Sequence, residues 1–393
     1  MGTKISIDME LIVRDITEAI KKKIQPNKVV MIFGARRVGK TVLVQHLLNQ
    51  ISEPVLRMNG DDIHSHDRLA EQSVENYRQL IGSYKMLFID EAQKILGIGS
   101  KLKLMVDELP GLKIIVTGSS SFDMDNNVGE PLTGRKHTFN LYGLSEHEYI
   151  QVEDGFNRLG PLKERLIYGG YPELMHLRDQ VDKVDYLSDM LSSYLLKDIL
   201  AHENIKNSQK IFNLLRLLAF QLGSEVSLQE LGKQLGLHKQ TVEKYLDLLT
   251  KVFVLHKVEG FSRNLRKEIT KSSKWYFLDN GIRNAIIANF NPIESRDDVG
   301  ALWENYMISE RLKYQEYRRK RANNYFWRTY DKQEIDWVEE RSGRLYGYEF
   351  KWQEKKHKVP SQWKKMYSKA SYQVIHQGNY WEWLTTDSET KLL

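Results

Sequence analysis

Eight residues near the start of the chain constrain its fold more than any other feature: positions 34–41 read GARRVGKT. This run fits the pattern G-x-x-x-x-G-K-[ST], in which backbone N–H groups of a glycine-rich loop surround phosphate oxygens. The apolar run KVVMIF before it predicts a strand, and TVLVQHLL after it predicts a helix, which is the context that this loop requires. The predicted phosphate-binding residues are Gly34, Ala35, Arg36, Arg37, Val38, Gly39, Lys40, Thr41 and Val42.

Two acidic residues at the end of another apolar strand complete a nucleotide site. The run KMLFIDEAQ (85–93) places Asp90 and Glu91 at the end of that strand. Lys40 is expected to reach the β- and γ-phosphates, and Thr41 and Asp90 to hold Mg²⁺. Glu91 is then placed to polarise the water that attacks the γ-phosphate. The predicted cofactors are therefore ATP and Mg²⁺, although acidic residues at a strand end can also cap a helix.

Two further candidates follow along the chain. The strand LKIIVTGSSS ends in hydroxyl residues, so Thr117 or Ser119 is a candidate for orienting the attacking water or sensing the γ-phosphate. Arg135, in LTGRKHTFNL, is a candidate for stabilising transition-state charge, either in its own chain or in a neighbouring one. Action on a neighbour would require a homo-oligomer.

Composition limits the other possibilities. The chain of 393 residues contains no cysteine, which excludes disulfides, thiolate zinc sites and a cysteine nucleophile. No run approaches the ~20 apolar residues that span a bilayer, so the sequence predicts a cytoplasmic protein without a membrane partner. Strands that read as continuous apolar runs are typical of a parallel sheet covered by helices, so residues 1–150 are expected to form an α/β domain. The pattern then becomes helical, and residues 151–207 are predicted to form a helical lid and linker.

At this point the sequence resembles a known family. The segments GARRVGKT, LFIDEAQ, VTGSSS, GRKHTFNLYGLSEHE and YGGYPE, in this order, are similar to those of prokaryotic AAA-type ATPases with a C-terminal restriction-endonuclease-like domain, the domain of unknown function 4143. The resemblance covers nearly the whole chain. It implies ATPase activity and a C-terminal fold of the PD-(D/E)xK nuclease type, but little about the biological pathway.

The middle of the chain, residues 208–262, has the pattern of a winged helix-turn-helix. Ser227 can cap a helix, Gly236 marks a tight turn, and a second helix is predicted from His238 to Leu249. If this module reads DNA, four side chains on the second helix would meet phosphates or base edges: Lys239, Gln240, Thr241 and Lys244. A protein-docking or purely structural role is the alternative.

Residues 263–393 are predicted to form the nuclease-like domain. An amphipathic helix (VGALWENYMISERLKYQ) is followed by three strands, a helix from Ser361 to Ala370 and a last strand. Asp336 lies in the middle strand, and Glu349 and Lys351 share one face of the next strand. The two carboxylates are candidates for holding Mg²⁺, Lys351 for activating water at a phosphodiester, and Glu304 for completing the acidic set. An E-x-K pair on a strand is also common on a solvated face.

Two functions follow from these observations. The first is ATP binding and hydrolysis coupled to nucleic-acid binding, with DNA favoured and with metal-dependent cleavage by the C-terminal domain. The basic charge and the tryptophans of the C-terminal third are compatible with that partner, because residues 261–393 carry 25 Lys and Arg against 18 Asp and Glu and all eight tryptophans. The alternative is a nucleotide-gated switch whose C-terminal domain only binds DNA or a protein. A small-molecule kinase is disfavoured by the DEAQ motif and the appended domains.

Overall fold

The computed structural model describes residues 12–119, 132–153, 158–195, 208–263, 273–355 and 357–386. Within these residues the chain forms two β-sheets with helices packed against them. None of the helices in these ranges is long and apolar enough to cross a membrane.

The N-terminal sheet contains five parallel strands in the order β2-β3-β4-β1-β5. Its strands are β1 (Lys28–Phe33), β2 (Val55–Asn59), β3 (Met86–Asp90), β4 (Lys113–Gly118) and β5 (Lys136–Asn140). The first four lie within the predicted apolar runs. The sequence pattern predicts no strand at β5, because this run, KHTFN, is largely polar at the edge of the sheet.

Both faces of this sheet are buried, which explains the uninterrupted apolar runs. Val30 and Ile32 of β1 pack into one core cluster, whereas Val29 and Met31 pack into another on the opposite face. The helices of this region are α1 (Thr17–Lys21), α2 (Lys40–Leu48), α3 (Ile63–Ala70), α4 (Val74–Ile81) and α5 (Ile98–Glu108). Because the strands are parallel, their carboxyl ends share one edge of the sheet, where a ligand site is expected.

The segment after this sheet is helical where it is described. Its helices are α6 (Glu146–Tyr149), α7 (Leu159–Tyr168) and α8 (Gln180–Asp189), and a wider helical turn, Met190–Leu195, follows. The GGYP turn lies between α7 and α8 and ends in a short 3-10 turn, Pro172–Met175. Within the predicted helical segment 151–207, residues 185–200 (DYLSDMLSSYLLKDIL) also have a helical pattern; the α-helix ends at Asp189 and gives way to the wider turn, and residues 196–200 lie outside the described residues.

The middle segment consists of helices and short strands in the predicted order. They are α9 (Ser208–Phe220), β6 (Glu225–Val226), α10 (Leu228–Leu235), α11 (Lys239–Lys251), β7 (Leu255–Gly260), β8 (Ser273–Phe277) and α12 (Asn280–Ile286). The Ser227 hydroxyl accepts a hydrogen bond from the Glu230 N–H at 3.3 Å and caps α10. Gly236 ends that helix in the left-handed region, with φ of 60°.

The C-terminal segment adds a helix, three antiparallel strands, and then a helix, a strand and a helix. Its elements are α13 (Val299–Tyr317), β9 (Asn323–Arg328), β10 (Glu334–Arg341), β11 (Arg344–Phe350), α14 (Ser361–Met366), β12 (Ser371–Ile375) and α15 (Tyr380–Thr385). Parallel pairing of β7 with β9 joins these strands to those of the middle segment in one seven-stranded sheet, β12-β11-β10-β9-β7-β8-β6. The predicted boundary between the middle and C-terminal domains, after residue 262, therefore falls between β7 and β8, which are hydrogen-bonded neighbours in this sheet.

Helix α13 forms where the sequence predicts a helix, but it is buried on nearly all sides, so the prediction that it is amphipathic is wrong. Its buried residues include Glu310, Arg311 and Lys313 as well as its apolar side chains. Arg311 forms two bonds to the buried Glu339 of β10, and Lys313 Nζ donates to the Leu144 carbonyl at 2.8 Å. The polar positions of α13 thus face partners in other elements rather than water, which a pattern of hydrophobicity cannot distinguish.

Candidate functional site

The loop between β1 and α2 has the geometry of a phosphate-binding loop. Gly39 caps α2 with φ of 95°, and Arg37 also adopts the left-handed region, with φ of 61°. A Cβ on Gly34 would lie 2.0 Å from the Leu141 carbonyl oxygen, so only glycine fits there. Lys40 is buried, and its Nζ donates to the carbonyls of Gly34 and Ala35, both at 2.9 Å. Its ammonium group therefore lies inside the loop whose N–H groups would surround a phosphate.

Three oxygen-bearing side chains meet beside this loop at the edge of the sheet. Thr41 Oγ1 donates to Asp90 Oδ2 at 2.8 Å, and Thr117 Oγ1 donates to the other carboxylate oxygen, Oδ1. Thr117 also accepts a hydrogen bond from the Glu91 N–H at 3.1 Å. Strand β4 is inserted between β1 and β3, so it delivers Thr117 between the two motifs. Hydroxyl and carboxylate oxygens are the ligands that Mg²⁺ prefers, so Thr41 and Asp90 fit the predicted metal role.

Glu91 is held in a strained conformation. Its φ of 48° lies in the left-handed region, which costs free energy for a residue with a side chain. Gly60 accommodates this turn, because a Cβ there would lie 2.2 Å from the Glu91 carbonyl oxygen. The Glu91 carboxylate accepts a hydrogen bond from Gln93, which also bonds to Ser119. The structure thus brings Glu91 and Ser119 to the same strand edge as the loop, as the sequence predicts.

Arg135 does not lie at this edge. It precedes β5, whose register pairs Lys136 with Val29, and so it sits at the amino end of the parallel strands, opposite the phosphate loop. Its guanidinium pairs with Asp107 at 2.5 Å and is 42% exposed. A role for Arg135 in the site of its own chain is therefore wrong, because the length of the sheet separates the two. Action on a neighbouring chain stays a prediction.

An apolar cavity of about 240 Å³ adjoins the start of α2. The phosphate-loop side contributes Gly39, Val42, Leu43 and His46 to it. The rest comes from the chain before β1, the loop after β5 and the segment from the GGYP turn onward: Ile12, Arg14, Thr17, Leu144, Pro172, Glu173, Met175 and His176. Sequence reasoning missed these last residues, since their participation depends on contacts between distant segments. The cavity is concave, largely apolar and next to the phosphate loop, as expected for the base of a nucleotide.

The middle segment closes the other side of the loop. A cavity of only about 30 Å³ remains there, and Arg36 and Ser119 line it together with Phe253 and Asp279. Phe253, at the turn between α11 and β7, has φ of 61° and packs edge-on against Tyr142, with ring centroids 6.3 Å apart. Burial raises the pKa of Asp279, which accepts hydrogen bonds from the N–H groups of Gly170 and Ile282.

Arg14 connects the loop to the C-terminal segment. Its guanidinium donates to the Val38 carbonyl at 2.7 Å, to Glu148 at 3.0 Å and to the Tyr317 hydroxyl of α13 at 3.2 Å. The same hydroxyl accepts a hydrogen bond from the Tyr142 N–H at 3.0 Å. The phosphate loop and α13 therefore share one buried hydrogen-bond network.

The C-terminal candidate residues form a second cluster. Strand β10 bulges between Ile335 and Val338, and a bulge is a common means of re-aiming a side chain at a functional site. Asp336 lies in this bulge, opposite Glu349 by the register of β10 and β11, and its carboxylate accepts a hydrogen bond from the Phe350 N–H at 2.8 Å. Lys351 Nζ donates to Glu349 Oε1 at 2.7 Å. Glu349 Oε2 is buried without a hydrogen-bond partner.

The acidic groups of this cluster influence each other. Burial, together with the neighbouring Asp336, raises the pKa of Glu349 to about 7. Burial likewise raises the pKa of Glu304 to about 7 against the opposing charge of Lys274. Burial also raises the pKa of Asp336. A cation placed among these carboxyl groups would lower their pKa values and favour their ionised forms.

Glu304 has partners other than Asp336 and Glu349. Its Oε1 accepts a hydrogen bond from the Tyr276 hydroxyl at 2.6 Å and lies 3.6 Å from Lys274 Nζ. Both partners come from β8, and no local signal in the sequence reveals that they contact Glu304. Within the described ranges no group of three or more His, Asp or Glu side chains is arranged to hold a metal ion. The predicted three-carboxylate metal set that includes Glu304 is therefore absent from this arrangement.

The face of α11 expected to meet DNA is largely solvent-accessible. Lys239, Gln240 and Lys244 are exposed, whereas Thr241 is half-buried. The opposite face packs inward through Val242 and Leu249.

Three stretches of the chain match the sequence profiles of known domains. Residues 26–150 match an AAA domain, residues 160–293 a domain of unknown function (DUF8612), and residues 299–385 a domain of unknown function (DUF4143). The predicted order of an AAA domain followed by DUF4143 is thereby confirmed. With the parallel sheet and the loop geometry, the AAA match also confirms the predicted P-loop NTPase fold.

Similar proteins are found in bacteria and archaea. An uncharacterized protein of Mycobacterium tuberculosis is 27% identical over 345 residues, which cover 86% of this chain and 73% of the relative. An uncharacterized protein of Methanocaldococcus jannaschii is 24% identical over 288 residues, which cover 67% of this chain and 63% of that relative. An uncharacterized protein of Haemophilus influenzae is 26% identical over 308 residues, covering 71% of this chain and 75% of the relative.

Solved structures show a more distant likeness. The replication initiator DnaA bound to AMPPCP and single-stranded DNA is 14% identical with a TM-score of 0.32, covering 60% of this chain and 86% of DnaA. The Thermotoga maritima RuvB Holliday junction branch migration motor is 16% identical with a TM-score of 0.27, covering 61% of this chain and 85% of RuvB. At these values the likeness decides neither activity nor partner. What this chain itself carries is an AAA-type P-loop domain joined, through a middle segment, to a DUF4143 segment.

Proposed function

We propose that this chain binds ATP with Mg²⁺ in its AAA-type domain and hydrolyses it. The observation that supports this most directly is the bonded set Thr41–Asp90–Thr117 beside the loop, with Glu91 as the next residue. A glycine-rich turn and a strand that ends in acidic residues each occur alone in unrelated proteins. Phosphoryl transfer requires both features at the same edge of the sheet, where they occur in this chain.

The side chains have distinct roles in this reaction. Lys40 exchanges its bonds to the Gly34 and Ala35 carbonyls for phosphate oxygens, and Thr41 and Asp90 hold Mg²⁺. When bound, Mg²⁺ supplies charge stabilisation at the phosphates. Glu91 accepts the proton of the attacking water. Production of phosphate from ATP by the purified chain, lost with EDTA, is the direct test, and no hydrolysis under any condition would reject the proposal.

The apolar cavity at the start of α2 receives the nucleotide base. Val42 lines this cavity and is 50% exposed, so replacing it should disturb ligand contact rather than folding. Val42→Glu is expected to weaken ATP binding roughly tenfold or more, because a carboxylate would be desolvated against the base and lies near the phosphates. Val181→Glu is the matched control, since Val181 is 64% exposed on α8 and does not line the cavity. Equal ATP affinity of the two variants by calorimetry would place the base elsewhere.

The middle segment would couple ATP turnover to nucleic acid, with DNA the favoured partner. Its helices and strands have the order of a winged helix-turn-helix, and Lys239, Gln240 and Lys244 of α11 are exposed for phosphate or base contacts. Phe253, in the turn after the same helix, lines a small cavity together with Ala35 and Arg36 of the phosphate loop. A change at the loop when ATP binds would therefore be transmitted to α11 through its own C-terminal turn. DNA affinity measured with and without ATP tests this coupling, and identical affinities would argue against it.

A second activity, metal-dependent phosphodiester cleavage, is favoured by one observation in the C-terminal segment. Asp336 lies at the bulge of β10 and helps to raise the pKa of Glu349, whose Oε2 has no hydrogen-bond partner and whose Oε1 accepts a hydrogen bond from Lys351. The two carboxylates would hold Mg²⁺, which supplies an activated water, and Lys351 would position that water. The competing function is a nucleotide-gated switch in which this cluster only stabilises the sheet and the segment only binds.

Substitutions in the cluster separate these two functions. Asp336→Asn and Lys351→Met are each expected to lower Mg²⁺-dependent cleavage of DNA at least about 100-fold, because they remove a metal ligand and the group that positions water. Lys365→Met is the control, since Lys365 is exposed on α14. Cleavage that persists in both cluster variants would reject the site, and absence of cleavage in the wild type together with ATP-dependent DNA binding would establish the switch.

A further inference from the structure

Gln93 lies between the Glu91 carboxylate and the end of β4. It belongs to the short 3-10 turn Ala92–Lys94 that follows β3. Its Nε2 donates to Glu91 Oε2 at 2.6 Å and to Ser119 Oγ at 3.0 Å. One amide group therefore joins the end of β3 to the end of β4 beside the phosphate loop.

The direction of these two bonds is fixed by chemistry. An ionised carboxylate only accepts hydrogen bonds, so the side of the amide that faces Glu91 is the nitrogen, and its two N–H groups serve Glu91 and Ser119. Ser119 accepts through its oxygen and keeps its own proton for donation. A γ-phosphate oxygen can therefore accept a hydrogen bond from the Ser119 hydroxyl while the bond from Gln93 to Ser119 stays in place. The chain of bonds would then run from phosphate to Ser119, to Gln93 and to Glu91.

The other end of the amide is unusual. Gln93 Oε1 is buried and has no hydrogen-bond partner. It lies against Gly118, where an added Cβ would be 2.9 Å away and would displace the amide. An unpaired buried acceptor costs free energy, and such groups are tolerated at sites that are completed by a ligand or water. The Gln93 amide therefore lies at the edge of the sheet beside the phosphate loop, although its oxygen lacks a hydrogen-bond partner.

We propose that Gln93 is a positioning residue that links the γ-phosphate contact at Ser119 to the orientation of Glu91. The inference rests on the proposed ATPase function. This role accounts for two features of Glu91. Its backbone is strained, with φ of 48°, and its carboxylate is held by a hydrogen bond from Gln93, two residues further on. Hydrolysis would be fastest when Ser119 is engaged, because a misplacement of the base by about 1 Å can cost about 100-fold in rate.

A merely structural role of Gln93 makes a different prediction. If the amide only ties β3 to β4, its loss would lower stability and affect ATP binding and turnover alike. If it positions Glu91, its loss would lower kcat while the affinity for ATP stays unchanged. Loss of Gln93 would also have little further effect once Ser119 no longer contacts the phosphate, so the two substitutions would not be additive.

The test compares Gln93→Met, Ser119→Ala and the double variant by steady-state hydrolysis and ATP binding. Methionine keeps the length of the side chain and removes both donors. We expect kcat to fall roughly 10- to 100-fold in Gln93→Met with ATP affinity within about twofold, and the double variant to resemble the single ones. Gln79→Met, at an exposed position of α4, is the control. Gly118→Ala is a second route, since its Cβ displaces the amide without removing it, and it should lower kcat as well.

Three outcomes would overturn the proposal. They are an unchanged kcat in both Gln93→Met and Gly118→Ala, a loss confined to ATP affinity, and fully additive effects of Gln93→Met and Ser119→Ala. A wild-type chain that binds ATP without hydrolysing it would instead refute the ATPase function, and the role of Gln93 with it. The wild-type rate therefore separates the failure of one from the failure of the other.

Discussion

Replacing Glu91 by glutamine is expected to leave ATP bound while slowing its hydrolysis by roughly 100- to 10,000-fold, the usual contribution of a general base. The substitution preserves the size of the side chain and its position beside Gln93 but removes the group that accepts a proton from water.

Replacing Lys40 by alanine should have a different effect. It removes the ammonium group inside the loop and is expected to abolish ATP binding itself.

These two variants are measured together by calorimetry and by phosphate release. Glu108→Gln is the matched control for charge, because Glu108 is exposed at the end of α5. If Glu91→Gln hydrolysed ATP as fast as the wild type, another base would have to be found at this edge. If Lys40→Ala bound ATP normally, the loop would not be the nucleotide site. The separation of binding from turnover is what distinguishes the two assigned roles.

The nucleotide edge could be predicted from the sequence because its signals are local. The loop from Gly34 to Thr41 and the strand ending in Asp90 each have a recognisable sequence pattern. Strands that are buried on both faces appear in the sequence as apolar runs. Their meeting follows from parallel topology, which brings carboxyl ends to one edge. The prediction that Arg135 acts in the site of its own chain was wrong because no local signal gives its position in the sheet. It precedes a polar edge strand, and only the register with β1 shows that it lies at the opposite end.

Contacts between distant segments could not be predicted. Lys274 and Tyr276 belong to no motif in the sequence, yet they contact Glu304 of α13 because β8 lies in the same sheet as the C-terminal strands. Arg14 shows the same limit, since it reaches both Val38 and Tyr317 from a short segment before β1. Such placements depend on tertiary packing, and no periodicity in the sequence reports them.

These contacts also bear on how the regions cooperate. The phosphate loop shares a small cavity with Phe253 on one side and is connected through Arg14 to α13 on the other. A buried network of Glu146, Arg165 and Tyr306 joins α6, α7 and α13 further along. Rigid, hydrogen-bonded connections of this kind allow a local rearrangement at the loop to bias a distant element, provided that the element has two arrangements. The ATP dependence of DNA affinity is the measurement that shows whether it does.

The largest effect on stability is expected at Arg311 in α13. Its guanidinium forms two bonds to Glu339, at 2.6 and 3.0 Å, and a third to the Trp383 carbonyl at 2.8 Å. Arg311 and Glu339 are almost fully buried. Arg311→Met keeps much of the volume but leaves a carboxylate in the core without its main partner. Removal of one member of a buried pair costs about 3–5 kcal/mol, and we expect the free energy of unfolding to fall by that amount.

Denaturant unfolding followed by tryptophan fluorescence measures this change, because Trp303, Trp327 and Trp337 are buried around the same sheet. Lys163→Met is the control: Lys163 pairs with Glu294 on the surface, at 35% and 63% exposure, and its loss should cost less than about 1 kcal/mol. A double variant, Arg311→Met with Glu339→Leu, removes both charges and should recover part of the lost stability, since apolar pairs of similar volume replace buried ion pairs well. If the double variant were no more stable than Arg311→Met alone, the loss in the single variant would come from lost packing of the guanidinium on Trp383, which it overlies at 4.6 Å, rather than from an unpaired carboxylate.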